Sequence, residues 1–510
     1  MSRKNYIKSV GVVSFSTLAS RILGMIRDIC MASMFGAGWV LDAFVMAFTL
    51  PNLFRRFFGE GAVSSAFIPV FSEVLEKDGK KKAGEFAAKA FTLLVLVLLG
   101  LVALGVICCF GLQFLNIGVK ERLTLKLAAI MMPYLLLICI TAFFAAMLNA
   151  LHHFLCPALA PLVLNIFWLI GIFAIAPLMG GSVQMWAYGM AIAIVVGGIF
   201  QLLLQLPALR HHGLSVGIHF DPRDVLLKKV CGNLLPVMVG AAVVQINVLL
   251  DRMIAWFMIP GDGALTVLYM GNRLMQFPLA IIGISLATVV FPIFTGYAIR
   301  HQRDKFSKAV PEALRFAFFL ALPASVGMAV LARPIITLIY QHNRFTEMDS
   351  IRTTHVLIAY CSGLWLYILL QIITKAFYAL GNTKTPTKLA MCAMLGNFLL
   401  NLALVPFWQE TGLAAATAIN AFFHCGIMLY ILNRLIPLEQ HKTMLFLIKS
   451  SIATALMAVS VLYAVYLLQH SHVAMQVFLS ISIAIPIYFL ASLVLGLQEV
   501  QHFTRLIFRK

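Results

Sequence analysis

Long apolar stretches recur along the whole chain, and short polar segments separate them. Fourteen of these stretches reach about 20 residues, the length that a helix needs to cross a bilayer. Their predicted limits are 8–34, 39–72, 88–114, 124–149, 157–179, 184–206, 229–259, 263–297, 312–340, 353–380, 386–407, 411–434, 444–468 and 472–496. The pattern predicts an all-α polytopic membrane protein with about 14 transmembrane helices and no sizeable soluble domain.

Composition agrees with this prediction. The chain is 62% hydrophobic and 11% charged, and its mean hydropathy is +0.96. These values lie far from the balance of a soluble globular protein. The nine cysteines show no metal-ligand spacing and fall almost entirely inside apolar stretches, so we interpret them as small packing residues.

Basic residues fall in alternate loops. They cluster before the first stretch, after the second, sixth, eighth, tenth and twelfth, and in the C-terminal tail. The remaining loops are nearly free of them, the exceptions being Lys120, Arg122, Arg333, Arg344 and Arg352. This asymmetry predicts that both termini lie in the cytoplasm. Because it accounts for most of the net charge of +19, no nucleic-acid partner is implied.

The two halves of the chain show a weak internal repeat. The segment that begins at Met34 resembles the segment that begins at Met258, and AFIPVFS (66–72) then aligns with VVFPIFT (289–295). We predict an N-lobe of six helices (1–206), a cytoplasmic linker (207–228), a C-lobe of six helices (229–434) and two appended helices with a cytoplasmic tail (435–510). An even number of helices per lobe predicts a pseudo-two-fold axis along the membrane normal.

Five arginines interrupt the apolar stretches. Arg21 and Arg27 lie in the first, Arg55 and Arg56 in the second, and Arg273 in the eighth. A guanidinium at bilayer depth costs roughly 2.5–3.5 kcal/mol on insertion scales, so such residues face a protein interior or an aqueous cavity. Concentrated positive charge in a cavity between the lobes predicts an anionic cargo.

Three acids accompany these arginines. Asp28 lies seven residues after Arg21, on the same helix face, and Asp42 lies near the outer end of the second stretch. Glu60 follows Arg56 by four residues, which is a pairing distance on a helix. Since the acids are fewer than the arginines, we expect some positive charge to be left for a ligand. Arginine suits phosphate because its planar fork binds two oxygens at once.

A second group is rich in oxygen atoms. Asp251, Asn397, Asn401 and Thr417 could surround a small cation such as Na⁺, and the two asparagines share a helix face. The alternative is plain hydrogen bonding between helices, with Asp251 paired to the adjacent Arg252. The sequence contains no nucleotide-binding loop and no hydrolase or metalloprotease motif, so we predict a transporter rather than an enzyme.

Several motifs resemble those of one family. SRILGMIRD, FGAG followed by DAF, LPNLFRRFFGEGA, FIPVF and NRLMQFP are similar to motifs of the MurJ (MviN) family of lipid II flippases, within the multidrug/oligosaccharidyl-lipid/polysaccharide exporter superfamily. The resemblance covers essentially the whole chain. The residues that correspond to the family's essential cavity arginines and important acids are Arg21, Arg27, Arg55, Arg273, Asp42 and Glu60.

The resemblance implies a flippase of the bacterial cytoplasmic (inner) membrane. Its cargo would be lipid II, the undecaprenyl-diphosphate-linked disaccharide-pentapeptide of peptidoglycan synthesis, moved from the inner to the outer leaflet by alternating access. The membrane potential, a Na⁺ or H⁺ gradient, or both would drive the transport. The polyprenyl tail would follow a groove along residues 435–510. We expect no cofactor, no partners besides lipid II and membrane lipids, and function as a monomer.

Two departures from the family pattern matter. Asn272 and Gln276 flank Arg273 where the family often has acids, and Asn401 stands where a family cation site has a second carboxylate. The second departure weakens the case for sodium coupling. The alternatives are an O-antigen-type oligosaccharide-lipid flippase and a multidrug exporter of the same superfamily; the exporter would call for intramembrane acids rather than arginines.

Overall fold

The computed structural model describes residues 3–55, 62–214, 217–221, 223–438 and 443–500, and every regular element in these ranges is helical. The helices of the first half are α1 (Arg3–Phe35), α2 (Trp39–Phe54), α3 (Ala62–Leu112), α4 (Val119–Ala150), α5 (Leu155–Ile170), α6 (Ala176–Leu178) and α7 (Val183–His211). A π-helical turn, Gly171–Ile175, joins α5 to α6.

The second half contains the remaining helices. They are α8 (Val225–Met258), α9 (Ala264–Pro278), α10 (Ser285–Ile299), α11 (Arg303–Val330), α12 (Ala332–Tyr340), α13 (Glu347–Ala379), α14 (Lys384–Leu435), α15 (Thr443–Leu467) and α16 (Val473–Val494). A π-helical turn, Leu279–Ile284, joins α9 to α10. Within the described ranges, ten helices are long and apolar enough to cross a membrane, which agrees with the predicted all-α membrane fold; the count of fourteen stays a prediction.

The chain divides into two compact units, residues 1–249 and 250–510. The division falls inside α8, so the first part of that helix belongs to unit 1. The domain limits drawn from the sequence stay predictions.

Two of these helical stretches each contain a kink at which two helices meet. Helix α3 runs through the basic segment at 77–82 and breaks only at Gly79, whose φ of 82° suits a residue without a Cβ. Helix α14 contains the predicted eleventh and twelfth spans and breaks at Gln409, with φ 49°. The predicted ninth span, by contrast, is divided at Leu331 into α11 and α12.

Close helix contacts form the core of unit 1. Helix α4 packs along α3 and α7, and a Cβ on Gly198 of α7 would lie 2.8 Å from the Tyr134 ring of α4. Phe67, Phe86 and Phe143 stack where α3 meets α4, with ring centroids 4.7–5.6 Å apart. These contacts fix the framework on which α1 and α5 place their polar side chains.

The linker after α7 is fastened to α3. Lys89 Nζ donates to Asp221 Oδ2 at 2.8 Å and to Asp224 Oδ2 at 2.7 Å. The backbone N–H of His219 donates to Thr92 Oγ1 at 2.8 Å. These bonds hold the described part of the linker against unit 1.

In unit 2, α15 and α16 pack on each other, and α15 also packs along α11. The Tyr488 hydroxyl donates to the Phe319 carbonyl at 2.7 Å, and Arg315 pairs with Glu499 at 3.3 Å. All nine cysteines of the chain are free thiols, of which four are buried, two are half-buried and three are exposed; their role as packing residues stays a prediction.

Candidate functional site

Helix α1 places a buried ion pair inside unit 1. Arg27 Nε and Nη2 donate to Asp28 Oδ1 at 3.0 and 2.7 Å. The Asp28 side chain is fully buried, and that of Arg27 is 12% exposed. The heptad spacing puts Asp28 on the same face as Arg21, but the structure pairs it with its neighbour, because the long arginine side chain bends around the helix to reach it.

Helix α5 holds the same guanidinium from two further directions. Arg27 Nη1 donates to Asn165 Oδ1 at 3.1 Å, and Arg27 Cζ lies 4.2 Å from the centroid of a Trp168 ring. Asn165 Nδ2 in turn donates to the Ser20 carbonyl at 3.1 Å. Sequence reasoning missed both α5 residues. The available signal was Asn165, the one amide in an otherwise apolar helix (LCPALAPLVLNIFWLI).

Arg21 differs from Arg27. Its side chain is exposed on the surface of unit 1, and within the described ranges it makes no hydrogen bond or ion pair. It lies in an apolar part of α1 flanked by exposed Leu18 and Ile22. Its five N–H donors are therefore available to an external anion.

Arg55 immediately follows α2. Its Nε donates to Asn52 Oδ1 at 3.0 Å, one helical turn earlier, and its side chain is partly buried. The predicted pair of Arg56 and Glu60 lies outside the residues that the structure describes, as do residues 57–61 generally. Pro51 is accommodated inside α2, which ends three residues later at Phe54.

Asp42 has a partner that the sequence analysis did not identify. It lies in the first turn of α2 with 1% of its side chain exposed, and Lys120 Nζ of α4 approaches its Oδ2 at 3.3 Å. Lys120 is one of the basic exceptions in the sparsely basic loops, and a buried counter-ion explains why it is tolerated there. The pair links the beginnings of α2 and α4.

Two further basic exceptions pair with acids in unit 2. Arg333 Nη2 lies 2.9 Å from Glu347 Oε1. Arg352 Nε donates to Glu410 Oε1 at 2.7 Å, and its Nη1 donates to the Asp262 carbonyl at 2.8 Å. The hydrogen bond from Arg352 to the Asp262 carbonyl ties the beginning of α13 to the segment before α9, as Lys120 ties α4 to α2 in unit 1.

Arg273 lies in α9, five residues before Pro278, with its side chain partly buried. The two polar neighbours that replace the family's acids bond to each other, since Gln276 Nε2 donates to Asn272 Oδ1. That bond adds no negative charge beside Arg273.

The predicted oxygen-rich group is partly assembled in unit 2. Asn397 and Asn401 of α14 both donate through Nδ2 to Asp251 Oδ1 of α8, at 3.0 and 2.6 Å. Thr417 does not join them through its hydroxyl, which donates to the Leu413 carbonyl of its own helix at 2.8 Å. The described residues contain no group of three or more His, Cys, Asp or Glu side chains that could hold a metal ion.

This arrangement fits two chemistries. Two amide donors on one carboxylate form a complete hydrogen-bonded group without an ion. Rotation of both amides by half a turn would instead point their oxygens towards the carboxylate, giving an all-oxygen set such as Na⁺ accepts. The residues are therefore compatible with a cation without requiring one.

Relatives with known names match nearly the whole chain. A family model described as "Lipid II flippase MurJ" matches residues 31–483. A "Probable lipid II flippase MurJ" of Vibrio cholerae serotype O1 is 32% identical over 438 residues, covering 83% of this chain and 82% of the relative. A protein of the same name from Bdellovibrio bacteriovorus is 30% identical over 515 residues, covering 99% of this chain and 97% of the relative.

Solved structures agree at the level of the fold. A structure described as "Lipid II flippase MurJ, inward closed conformation" superposes with a TM-score of 0.78 at 26% identity, covering 94% of this chain and 98% of that one. An inward-facing multidrug resistance transporter of the MATE family has a TM-score of 0.67 at 13% identity, covering 82% of this chain and 94% of that one. At that identity the second likeness shows the fold alone.

Proposed function

The chain belongs to the MurJ family of lipid II flippases, and on that basis we propose that it flips lipid II by alternating access with arginines that bind the cargo's diphosphate. As a family member it is a transporter rather than an enzyme, and lipid II and membrane lipids are its substrates. It is a multi-pass protein of the bacterial inner membrane and serves peptidoglycan synthesis. The proposed binding residues are Arg21, Arg27, Arg55 and Arg273.

The observation that carries the proposal is that Arg21 is exposed in an apolar helix and makes no hydrogen bond or ion pair with the described residues. A charged side chain in an apolar helix is costly, and here no described acid offsets it. A diphosphate would supply the missing counter-charge through paired N–H···O bonds. Arg21 is thus the group best able to attract the anionic cargo first.

Arg27 has a different role in this proposal. Asp28, Asn165 and Trp168 hold its guanidinium in one orientation, so little conformational entropy is lost when a phosphate contacts it. Asp28 also competes with the cargo for the same donors. A fixed but neutralised arginine suits a site that must release its ligand as well as bind it.

The driving force follows from charge. An inside-negative potential favours outward movement of an anion by about 2.3 kcal/mol per elementary charge per 100 mV. A cargo with a diphosphate therefore gains free energy on export without ATP hydrolysis. The uncharged polyprenyl tail stays in the lipid, along a groove that we assign to residues 435–510.

Ion coupling is a separate part of the proposal. Asp251 with Asn397 and Asn401 is the candidate cation site, and Thr417 could contribute only after its hydroxyl leaves the Leu413 carbonyl. Asp251→Ala removes the one carboxylate. If transport by this variant equals that of the unaltered protein in sodium-containing medium, and removing sodium changes neither, the site is not a sodium-coupling site.

The test of the main proposal is depletion of the chromosomal flippase with complementation by variants, reading the accessibility of lipid II at the outer face. We expect Arg21→Ala and Arg273→Ala each to abolish export, and Arg21→Lys to restore it only in part, because lysine keeps the charge and loses the bidentate geometry. Arg223→Ala is the matched control, since Arg223 is exposed in the linker and makes no described ion pair.

Full export by both alanine variants would overturn the arginine site. An O-antigen-type lipid-linked oligosaccharide and a cationic drug serve as competing cargoes in the same assay. Transport of either one in place of lipid II would favour the corresponding member of the superfamily.

A further inference from the structure

A cavity of about 570 Å³ lies in unit 2 where several helix ends meet. The end of α10, the beginning of α11, the end of α13 and the last turn of α14 surround it. These are the ends next to basic loops, which the charge pattern assigns to the cytoplasmic side. None of the roles proposed above uses this cavity.

Its lining combines an apolar floor with a polar rim. Phe306, which is buried, and Leu435, which is half exposed, are apolar residues of the lining. His301, Arg303 and Asn382 provide the polar groups. The cavity volume falls in the range of ordinary ligand pockets, about 300–1,000 Å³. Such a lining suits a molecule with one polar end and one apolar end.

The rim carries a positive charge that the described residues do not neutralise. Arg303 is exposed and makes no ion pair or side-chain hydrogen bond within the described ranges. Arg300 is exposed nearby, and Asp304 is the one acid in the first turn of α11. Asn382 Oδ1 accepts the Thr385 N–H at 3.1 Å, which orients the amide and leaves its NH₂ group as a donor. Donors and positive charge together indicate an anionic ligand.

In unit 1, the helix ends that the predicted repeat matches to these pack against their own chain. There α3 after Gly79, the connection from α4 to α5 and the end of α7 come together. Leu214 is 2% exposed, and a Cβ on Gly84 would lie 3.7 Å from it. The His153 and His212 rings also meet, 5.4 Å apart. In unit 2 the corresponding helix ends surround the cavity instead.

We propose that the cavity binds the phosphate headgroup of an anionic phospholipid from the adjacent leaflet. Arg303, His301 and the Asn382 amide contact the phosphate, and Phe306 and Leu435 contact the glycerol and the first methylenes of the acyl chains. The apolar floor at the ends of membrane helices favours a lipid over a soluble phosphate, which would leave that floor exposed to water. The proposal is independent of the cargo and of the Arg21 site.

The experiment measures lipid binding to the purified full-length protein in a neutral detergent by native mass spectrometry. Phosphatidylglycerol, phosphatidylcholine and inorganic phosphate are the three probes. A basic residue near an anionic surface is worth about fivefold in affinity. We therefore expect His301→Ala/Arg303→Ala to weaken the tightest phosphatidylglycerol site about fivefold or more, and the linker control Arg223→Ala to change it less than twofold.

A second variant tests the cavity with the charges kept. Ala379→Phe places a ring inside the lining and should remove the same phosphatidylglycerol site. Its thermal unfolding is compared with that of the unaltered protein, and if it misfolds the His301/Arg303 variant decides alone. Equal phosphatidylglycerol binding by the His301/Arg303 variant and the control would overturn the proposal. So would equal affinity for phosphatidylcholine, which indicates apolar contact only, or equal affinity for inorganic phosphate, which indicates a soluble anion.

Discussion

The ion pair of Asp42 and Lys120 allows a quantitative test of the framework of unit 1. The change is Lys120→Met, which keeps the length of the side chain and removes its charge. Because Asp42 is 1% exposed, its carboxylate would stay buried after the cation has gone. The consequence should be a large loss of stability rather than the small loss typical of an exposed pair.

The magnitude follows from the geometry. At 3.3 Å and an effective dielectric constant of about 20, the attraction is about 5 kcal/mol before desolvation. Removing one partner of a buried pair typically costs about 3–5 kcal/mol. Asp42 also lies in the first turn of α2, where the helix dipole stabilises a carboxylate by about 0.3–1 kcal/mol. Both side chains have further interactions, so we expect a value near the lower limit, about 3 kcal/mol.

The assay is thermal unfolding of the detergent-solubilised protein, with complementation as a second readout. Lys126→Met is the matched control, because Lys126 lies in the same helix, is exposed and has no described partner. The double variant Asp42→Asn/Lys120→Met removes both charges and should recover at least half of the loss. If Lys120→Met unfolds at the same temperature as the control, or if the two substitutions are simply additive, the buried-pair argument is wrong.

Three further outcomes follow from individual contacts. Asn165→Leu should destabilise unit 1 by about 1.5–3 kcal/mol in thermal unfolding, because Arg27 loses an acceptor for a charged donor; unchanged unfolding would contradict the assigned hydrogen bond. Gly363→Val should lower the yield of folded protein, since a Cβ there would lie 2.8 Å from α14 and overpacking costs about 1–3 kcal/mol; a normal yield would mean that α13 and α14 can separate. Lys89→Met should speed protease cleavage of the linker at neutral pH. In the unaltered protein the hydrogen bond from Lys89 holds the pKa of Asp221 below its ordinary value. The contact therefore stabilises the linker fully at any pH above the ordinary pKa of an aspartate, and this stabilisation is lost as the pH falls through the lowered pKa. Cleavage that is equally fast in both proteins at neutral pH would argue against the contact.

Hydrophobic length predicted the membrane helices well where a polar loop ends each one. The sixth predicted span, 184–206, lies inside α7, Val183–His211, and the thirteenth, 444–468, coincides with α15 within one residue. The pattern was less exact where a helix continues into the polar segment that follows a predicted span. The predicted second span ends at residue 72, but the helix continues to the kink at Gly79 and a second helix begins directly after it, because lysine, alanine and glutamate favour helix even when they are polar.

The charged residues show a similar division. Arg21, Arg27 and Asp28 could be identified as exceptional because each is a charge inside an apolar stretch. The distant partners of the charged residues could not be identified, since Asn165 follows Arg27 by 138 positions and Lys120 follows Asp42 by 78. A single sequence contains no signal that joins such pairs. The pairing of Arg27 with Asp28 was also hidden, because helical periodicity treats neighbouring residues as pointing apart.

In the cargo site that we propose, Arg21 and Arg27 lie six residues apart in one helix, and their different surroundings imply an order of events in binding. Arg21 keeps its charge available, so it can attract a diphosphate over a distance before any contact forms. Arg27 is already bonded to Asp28, and a phosphate must displace part of that pair to reach the guanidinium. The displacement leaves the fully buried Asp28 carboxylate with fewer donors, which opposes tight binding.

We infer that Arg21 mainly sets the rate of cargo capture, whereas Asp28 limits its residence time. Arg21→Ala should therefore slow association, and Asp28→Asn should slow release. Stopped-flow binding of a fluorescent undecaprenyl diphosphate distinguishes the two effects, and a change in the release rate for Arg21→Ala alone would refute this order.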